Sequence, residues 1–288
     1  MKQIQYIDDK TKLVIRTSAI KTYLRCPAQC FFRYFKGLVI MPSSSMMMGS
    51  CFHKSAEHHY KYKKEKGKNS KLSTLQDVFH DEFKLRKKST QWNKDEKPDV
   101  FEKEGVNSML PVYYKERAII LEPKEVEIPV KITLEDANAE ITGTLDLILQ
   151  DETIRDHKTK KRLPNWLDPI KSTQGYSYSL GYLEKFGKLP KGFNLDYIIR
   201  SRNAIGDAKI ETSKTIKHKK DELETFKTLL ERVVNSMRQG NFYPCSENNF
   251  LCSPTMCGFW DICHKGQWKN TGVFTKTFCR NSEEVEED

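Results

Sequence analysis

Two strand-like segments, Gly143–Leu149 and Thr153–Thr159, joined by the polar turn Gln150-Asp151-Glu152, constrain this chain more than any other stretch. Each segment carries a carboxylate, Asp146 and Asp156, and the second adds Lys158 two residues further on. Residues i and i+2 of a strand share a face, so Asp156 and Lys158 point the same way, and a hairpin partner brings Asp146 beside them. Two carboxylates and an ammonium are costly to bury together without a reason. A divalent cation supplies one, because hard cations take carboxylate oxygens. The lysine is then free to hold or deprotonate a water, or to steady a pentavalent phosphorane, which is the minimal equipment for metal-assisted phosphodiester hydrolysis.

A second text of similar form, Pro98-Asp99 followed by Glu122-Pro123-Lys124, is rejected. Its proline sits between the would-be ligands and removes a ladder donor, and the intervening Val106, Met109 and Tyr113 keep helical spacing. Features flanking Gly143–Lys158 instead reinforce it. His53 is placed near the start of a helix running from Ser50 to about Lys64, on the face shared with Glu57, where a neutral imidazole can serve as a further metal ligand. Gln174 and Tyr178 lie at i and i+4 of an aromatic amphipathic helix over 170–187 and face one side. Lys160, Lys161 and Arg162 follow directly and are placed to grip phosphates.

The remaining text predicts a helix from Ser18, as N-cap, interrupted at Cys26-Pro27 and continuing to residue 36, then a Met/Ser-rich loop at 41–47. Two helices are expected over 71–120, separated by the polar stretch 88–99. Strand text begins near Ile120 and alternates through Val126, Ile128, Val130 and Ile132. A strand at 193–200 and a long charged helix at 216–238 follow, and 242–263 reads as a cysteine-rich loop. The order implies an α/β (α+β) fold, a small mixed sheet flanked by helices. Its expected division is a helical region 1–120 contributing His53 and Cys26, a core at 121–240, a cysteine-rich region at 241–265 and a tail at 266–288 with a disordered acidic end.

Net charge decides the class of partner. The chain carries +10, and its last six residues hold five acids, so the body without them is five units more positive still. Such a balance favours a polyanion, because lysine and arginine release condensed counterions from nucleic acid. No apolar run is long enough to span a membrane, and the start lacks an apolar signal region, so an intracellular, cytoplasmic and nucleoid-associated protein is expected. The nearest phosphate-loop text, Gly181–Leu189, has one residue too many and a leucine where a hydroxyl should bind Mg²⁺, which excludes a motor on this chain.

Eight cysteines in an intracellular chain point to metal ligation rather than disulfides. Cys252, Cys257 and Cys263 are spaced C-x4-C-x5-C and need a fourth ligand from elsewhere; Cys26 is the leading candidate, with Cys30 and Cys245 competing. Soft thiolates suit zinc or an iron–sulfur cluster, a staple tying distant parts of the chain together. Cys51 and Cys279 read as plain thiols.

In order and spacing, Gly49-x-x-x-His53, Gly143-x-x-Asp146, Asp156-x-Lys158-Thr159 and Gln174-x-x-x-Tyr178 resemble the RecB-like branch of the PD-(D/E)XK nuclease superfamily, over roughly residues 18–265. The resemblance implies a restriction-endonuclease-like core in which His53, Asp146 and Asp156, with the backbone carbonyl of His157, bind Mg²⁺ or Mn²⁺. It also implies that Lys158 activates water while Gln174 and Tyr178 complete the site. The AddB and CRISPR-associated members carry one cysteine ahead of the nuclease motifs and three after them, which implies a [4Fe-4S] cluster on Cys26, Cys252, Cys257 and Cys263, with zinc as the alternative. Here the first C-terminal gap has four residues where those members usually have two. The implied activity is that of a DNA exonuclease acting in repair, recombination or phage and CRISPR DNA processing, on single strands or free ends, beside a helicase or recombination partner. A non-catalytic DNA-binding or complex-forming module is the alternative.

Overall fold

The computed structural model describes residues 10–163, 169–170, 172–200, 208–246 and 248–264. In chain order they form β1 (Leu13–Arg16), α1 (Thr17–Arg25), α2 (Pro27–Cys30) prolonged by a π-helical turn, α3 (Ser44–Lys66), α4 (Leu72–Lys87) and α5 (Pro98–Glu104). There follow α6 (Leu110–Tyr113), flanked by two π-helical turns, β2 (Pro123–Leu134), β3 (Ala139–Leu149), β4 (Thr153–Lys160), α7 (Thr173–Phe186), β5 (Gly192–Ile199), β6 (Lys209–Thr212), α8 (Lys220–Arg238) and α9 (Trp260–His264). The strands make a mixed sheet in the order β1-β3-β4-β5-β6, with β2 also on β3. The β1–β3 and β4–β5 pairs are parallel, β3–β4 and β5–β6 antiparallel. The expected mixed sheet flanked by helices is therefore the architecture found.

The chain resolves into two compact units. One comprises 41–130 and 144–220. In it β4 alternates strictly: Ile154 joins a core of Leu145, Ile148, Tyr178, Phe193 and Leu195 on the α7 side. The opposite face meets a larger core of Met47, Met48, Phe52, Tyr60, Phe79, Phe83, Tyr113, Leu147 and Ile198, built from α3 to α6. Strand β5 alternates likewise, Leu195 and Tyr197 to one side, Ile198 to the other. Helix α7 starts where Ser172 Oγ accepts from the Gly175 amide and ends at the left-handed Gly187. A Cβ on Gly175 would meet the Phe193 ring at 2.9 Å, so glycine there lets α7 seat closely on β5.

The other unit comprises residues up to 40, 131–143 and those from 221 onward. The amphipathic α8 buries Leu223, Leu230, Val233, Val234 and Met237. The buried Arg238 guanidinium donates to the carbonyls of Thr11, Ala137 and Asn138, closing the turn between β2 and β3. Phe31 and Phe35 each pack 4.9 Å from Phe242 between ring centres.

Several expectations need correction. Residues 44–47 are helix, not loop: Ser43 caps α3 by accepting from the Met46 amide, and Met47 and Met48 are core residues. His53 consequently lies well inside α3, not near its start. Ser18 is not a cap but lies within α1, accepting from the Thr22 hydroxyl. The strand expected near Ile120 begins at Pro123, the final long helix begins at Lys220, and the cysteine-rich tail contains the short helix α9. Strands β1 and β6 were not foreseen; each has four residues, too few to register a period. Pro98 opens α5 and Pro123 opens β2, which agrees with rejecting that text as a hairpin site. The acidic tail and Cys279 lie outside the described residues.

Candidate active site

The β3–β4 hairpin sets Leu147 opposite Arg155 and Ile148 opposite Ile154, which brings Asp146 level with Asp156. Its turn is held by Asp151, whose Oδ1 accepts from the Thr153 amide at 2.9 Å, while Glu152 takes a left-handed φ of 67°. Glu152 is also gripped by Lys124 at 2.9 Å and Lys188 at 2.6 Å.

The expected residues then converge. His53 Nδ1 lies 3.2 Å from Asp146 Oδ2, which also accepts from the His157 amide at 3.3 Å. Lys158 Nζ sits 2.6 Å from Asp156 Oδ2, and Gln174 Nε2 donates to Asp156 Oδ1 at 2.8 Å. Gln174 also contacts the Tyr178 hydroxyl at 2.6 Å, so the i, i+4 pair of α7 meets the carboxylate of β4. Asp156 is wholly buried. Lys160, Lys161 and Arg162 are exposed at the end of β4, Lys161 lying 3.8 Å from Glu96.

Burial, the largest influence on each group, is overridden at some and decisive at others. Asp146 is held below the usual carboxylate range by the His53 hydrogen bond and charge and by Lys158, against burial. Asp156 goes the other way: burial raises it, Lys158 opposes, and the neighbouring Asp146 charge adds to the rise. Paired carboxylates that split in this way are characteristic of functional sites. His53 is raised because Asp146 outweighs burial, and Lys158 because Asp156 and Asp146 do. His157, enclosed by protein, is pushed down to about 4 by burial and is neutral.

One nitrogen each of His53 and His157 and one oxygen of Asp146 lie within 4.8 Å of one another, a donor set that fits a divalent cation. Here the geometry differs from expectation: it is the His157 side chain that reaches the group, where its main-chain carbonyl was expected. Glu127 was missed altogether. It takes φ 52° within β2, and burial together with the charges of Asp146 and Glu57 pushes it up to about 7. Nothing in the alternating text Val126–Val130 marks it, since a surface-facing glutamate fits the same pattern.

In the other unit, Cys26, Cys245, Cys252, Cys257 and Cys263 line one cavity with Phe32, Phe259 and His264. Cys30 is buried elsewhere, its thiol directed at the Ala19 carbonyl. Cys245 and Cys263 are pushed up to about 12, first by burial and then by neighbouring thiols, repulsion that a bound metal would relieve. Cys51 is a buried thiol against Met47.

Among known proteins, the sequence matches the family described as the PD-(D/E)XK nuclease superfamily over residues 17–264. No curated protein matches it. The fold is similar to that of a crystal structure from Eubacterium rectale described as a "putative exonuclease", with TM-score 0.54 and 12% identity over 82% of this chain and 86% of that one. A second solved structure, SSO0001, aligns over 94% of this chain and 87% of its own at 15% identity, with TM-score 0.33, too low to bear on the fold.

Proposed function

Because this chain belongs to the PD-(D/E)XK nuclease superfamily, we propose that it is a divalent-metal-dependent deoxyribonuclease acting as an exonuclease on single strands or free ends. The observation that carries the reading is the meeting of Asp146, Asp156 and Lys158 with His53 from α3 and Gln174 from α7. Mg²⁺ or Mn²⁺ held by His53, Asp146, Asp156 and the main-chain carbonyl of His157 would supply Lewis acidity and an activated water. The chain's own groups do the rest. Asp156 receives both Lys158 and Gln174, fixing the ammonium beside the position a phosphate would take, where its charge and protons meet developing negative charge. Gln174 in turn orients the Tyr178 hydroxyl. Lys160, Lys161 and Arg162 supply phosphate contacts that leave sequence unread.

In this reading 1–120 contributes His53 and Cys26, 121–240 is the nuclease core, and 241–265 holds the remaining cluster ligands. A role in repair, recombination or phage and CRISPR DNA processing, with a helicase or recombination partner, fits a nuclease without a motor. Among the described residues no helix is long and apolar enough to cross a membrane. The deciding experiment is a digest of 5′- and 3′-labelled DNA with Mg²⁺ or Mn²⁺. Mononucleotides released progressively from one labelled end are expected; cleavage of closed circles would make the enzyme an endonuclease, and binding without cleavage would make it a DNA-binding module.

The thiol-lined cavity supports a [4Fe-4S] cluster on Cys26, Cys252, Cys257 and Cys263. Protein purified anaerobically should show a broad absorption band near ~400 nm that is lost in Cys257→Ser. A colourless protein carrying one equivalent of zinc would replace the cluster with a thiolate zinc site.

A further inference from the structure

Behind the site lies a buried hydrogen-bonded chain that the reaction described above does not use. The Tyr113 hydroxyl donates to the Tyr60 hydroxyl at 2.8 Å and lies 2.7 Å from His157 Nε2. All three side chains are buried, with Tyr60 and Tyr113 at 1% and 0% exposure. The His157 ring is stacked on Tyr60 at 6.1 Å and meets Tyr113 edge-on at 5.3 Å, so its orientation is fixed by packing as well as by the bond.

The donor inventory then determines the tautomer. A tyrosine hydroxyl has one hydrogen, and that of Tyr113 goes to Tyr60. Tyr113 must therefore accept from His157, which places the ring proton on Nε2 and leaves the Nδ1 lone pair bare. Nδ1 is the ring nitrogen nearer the main chain, the end at which Asp146 Oδ2 receives the His157 amide. A ligating histidine held through its other ring N–H by an outer partner is the usual arrangement at metal centres.

We propose that His157 binds the catalytic cation through its imidazole Nδ1, that Tyr113, backed by Tyr60, is the positioning residue that fixes this tautomer, and that two nitrogen donors, His53 and His157, make the site select Mn²⁺ over Mg²⁺. The choice of metal follows from the donors: carboxylates and waters suit Mg²⁺, whereas imidazoles favour first-row transition metals. The inference rests on the nuclease reading only for the word catalytic; the ligand set is a property of the chain whether or not DNA is cut.

The test is therefore made on binding. Mn²⁺ alone is added to the full-length protein and examined by pulsed EPR, which counts directly coupled ¹⁴N nuclei, and by calorimetry. Two imidazole nitrogens are expected, falling to one in His157→Phe, a variant that keeps the aromatic packing. Tyr113→Phe removes only the hydroxyl and should weaken Mn²⁺ about 10- to 100-fold. The preference for Mn²⁺ over Mg²⁺ should narrow in both variants. A single coupled nitrogen in the unaltered protein would overturn the proposal, as would Mn²⁺ affinity unchanged in Tyr113→Phe; either follows if the hydroxyls run the other way and Nδ1 carries the proton. Two nitrogens with no DNA cleavage would leave the inference standing and remove the nuclease reading instead.

Discussion

Lys158→Ala should lower metal-supported DNA cleavage by about 10²- to 10³-fold, the usual loss when one preorganised charge is taken from a developing anion. Asp146→Asn should reduce it at least as far, because it removes the carboxylate grouped with His53 and His157. What separates chemistry from collapse is the melting temperature without added metal. The hairpin register forces two carboxylates level with each other, and Asp156 is wholly buried. The carboxyl disfavoured by burial and by its neighbour's charge is Asp156, so Asp156→Asn should melt at the same temperature as the unaltered protein or higher, whereas Asp146, which His53 and Lys158 hold in its charged form, should lose a few degrees as asparagine. Sites built for function are commonly strained in this way and gain stability when disarmed. Full activity in both variants would sink the assignment; lost activity with a melting temperature lowered by many degrees would show that the residues hold the fold instead.

The largest expected loss of stability lies elsewhere. Glu104, at the end of α5, and Arg200, just after β5, are 4% and 7% exposed and share two bonds of 2.9 and 2.5 Å. The guanidinium also lies 4.5 Å from the centre of the Phe101 ring. Glu104→Gln leaves that guanidinium without a counter-charge in the interior, a change that costs about 3–5 kcal/mol. The double variant Glu104→Gln, Arg200→Met should recover much of the loss, because the penalty lies in the orphaned charge and not in the absent attraction. Urea unfolding of the two variants in parallel checks this; equal losses in both would mean that attraction within the pair, and not desolvation, dominates.

The parts of the site legible in the sequence were those set by local geometry. Strand alternation puts Asp156 and Lys158 on one face, and helical spacing puts Gln174 beside Tyr178; neither needs tertiary knowledge. That Gln174 bonds Asp156 needed more, since it depends on α7 seating at Gly175 against Phe193. Tyr113 and Tyr60 gave no sign of a role: on helices rich in aromatic residues they read as core, and they are core. Glu127 was hidden for the opposite reason, a polar residue at a position where polar residues are ordinary. Met46–Met48 resemble a loop because serine and methionine cluster there, whereas Ser43 is the cap that starts the helix, Met47 and Met48 fill the interior and Met46 stays exposed.

The three-residue turn Gln150–Glu152 governs the candidate site although it lies at the other end of the hairpin from Asp146 and Asp156. Side chains alternate faces along a strand, so a register shift of one residue exchanges all of them. An insertion in that turn that slid β4 by one position would aim Asp156 and Lys158 at the α3 core, put Arg155 in the place of Asp156 and carry the His157 imidazole away from His53 and Asp146. The turn is thus the gauge that sets which side chains face α7, and Lys124 and Lys188, clamped on Glu152, are its locking screws.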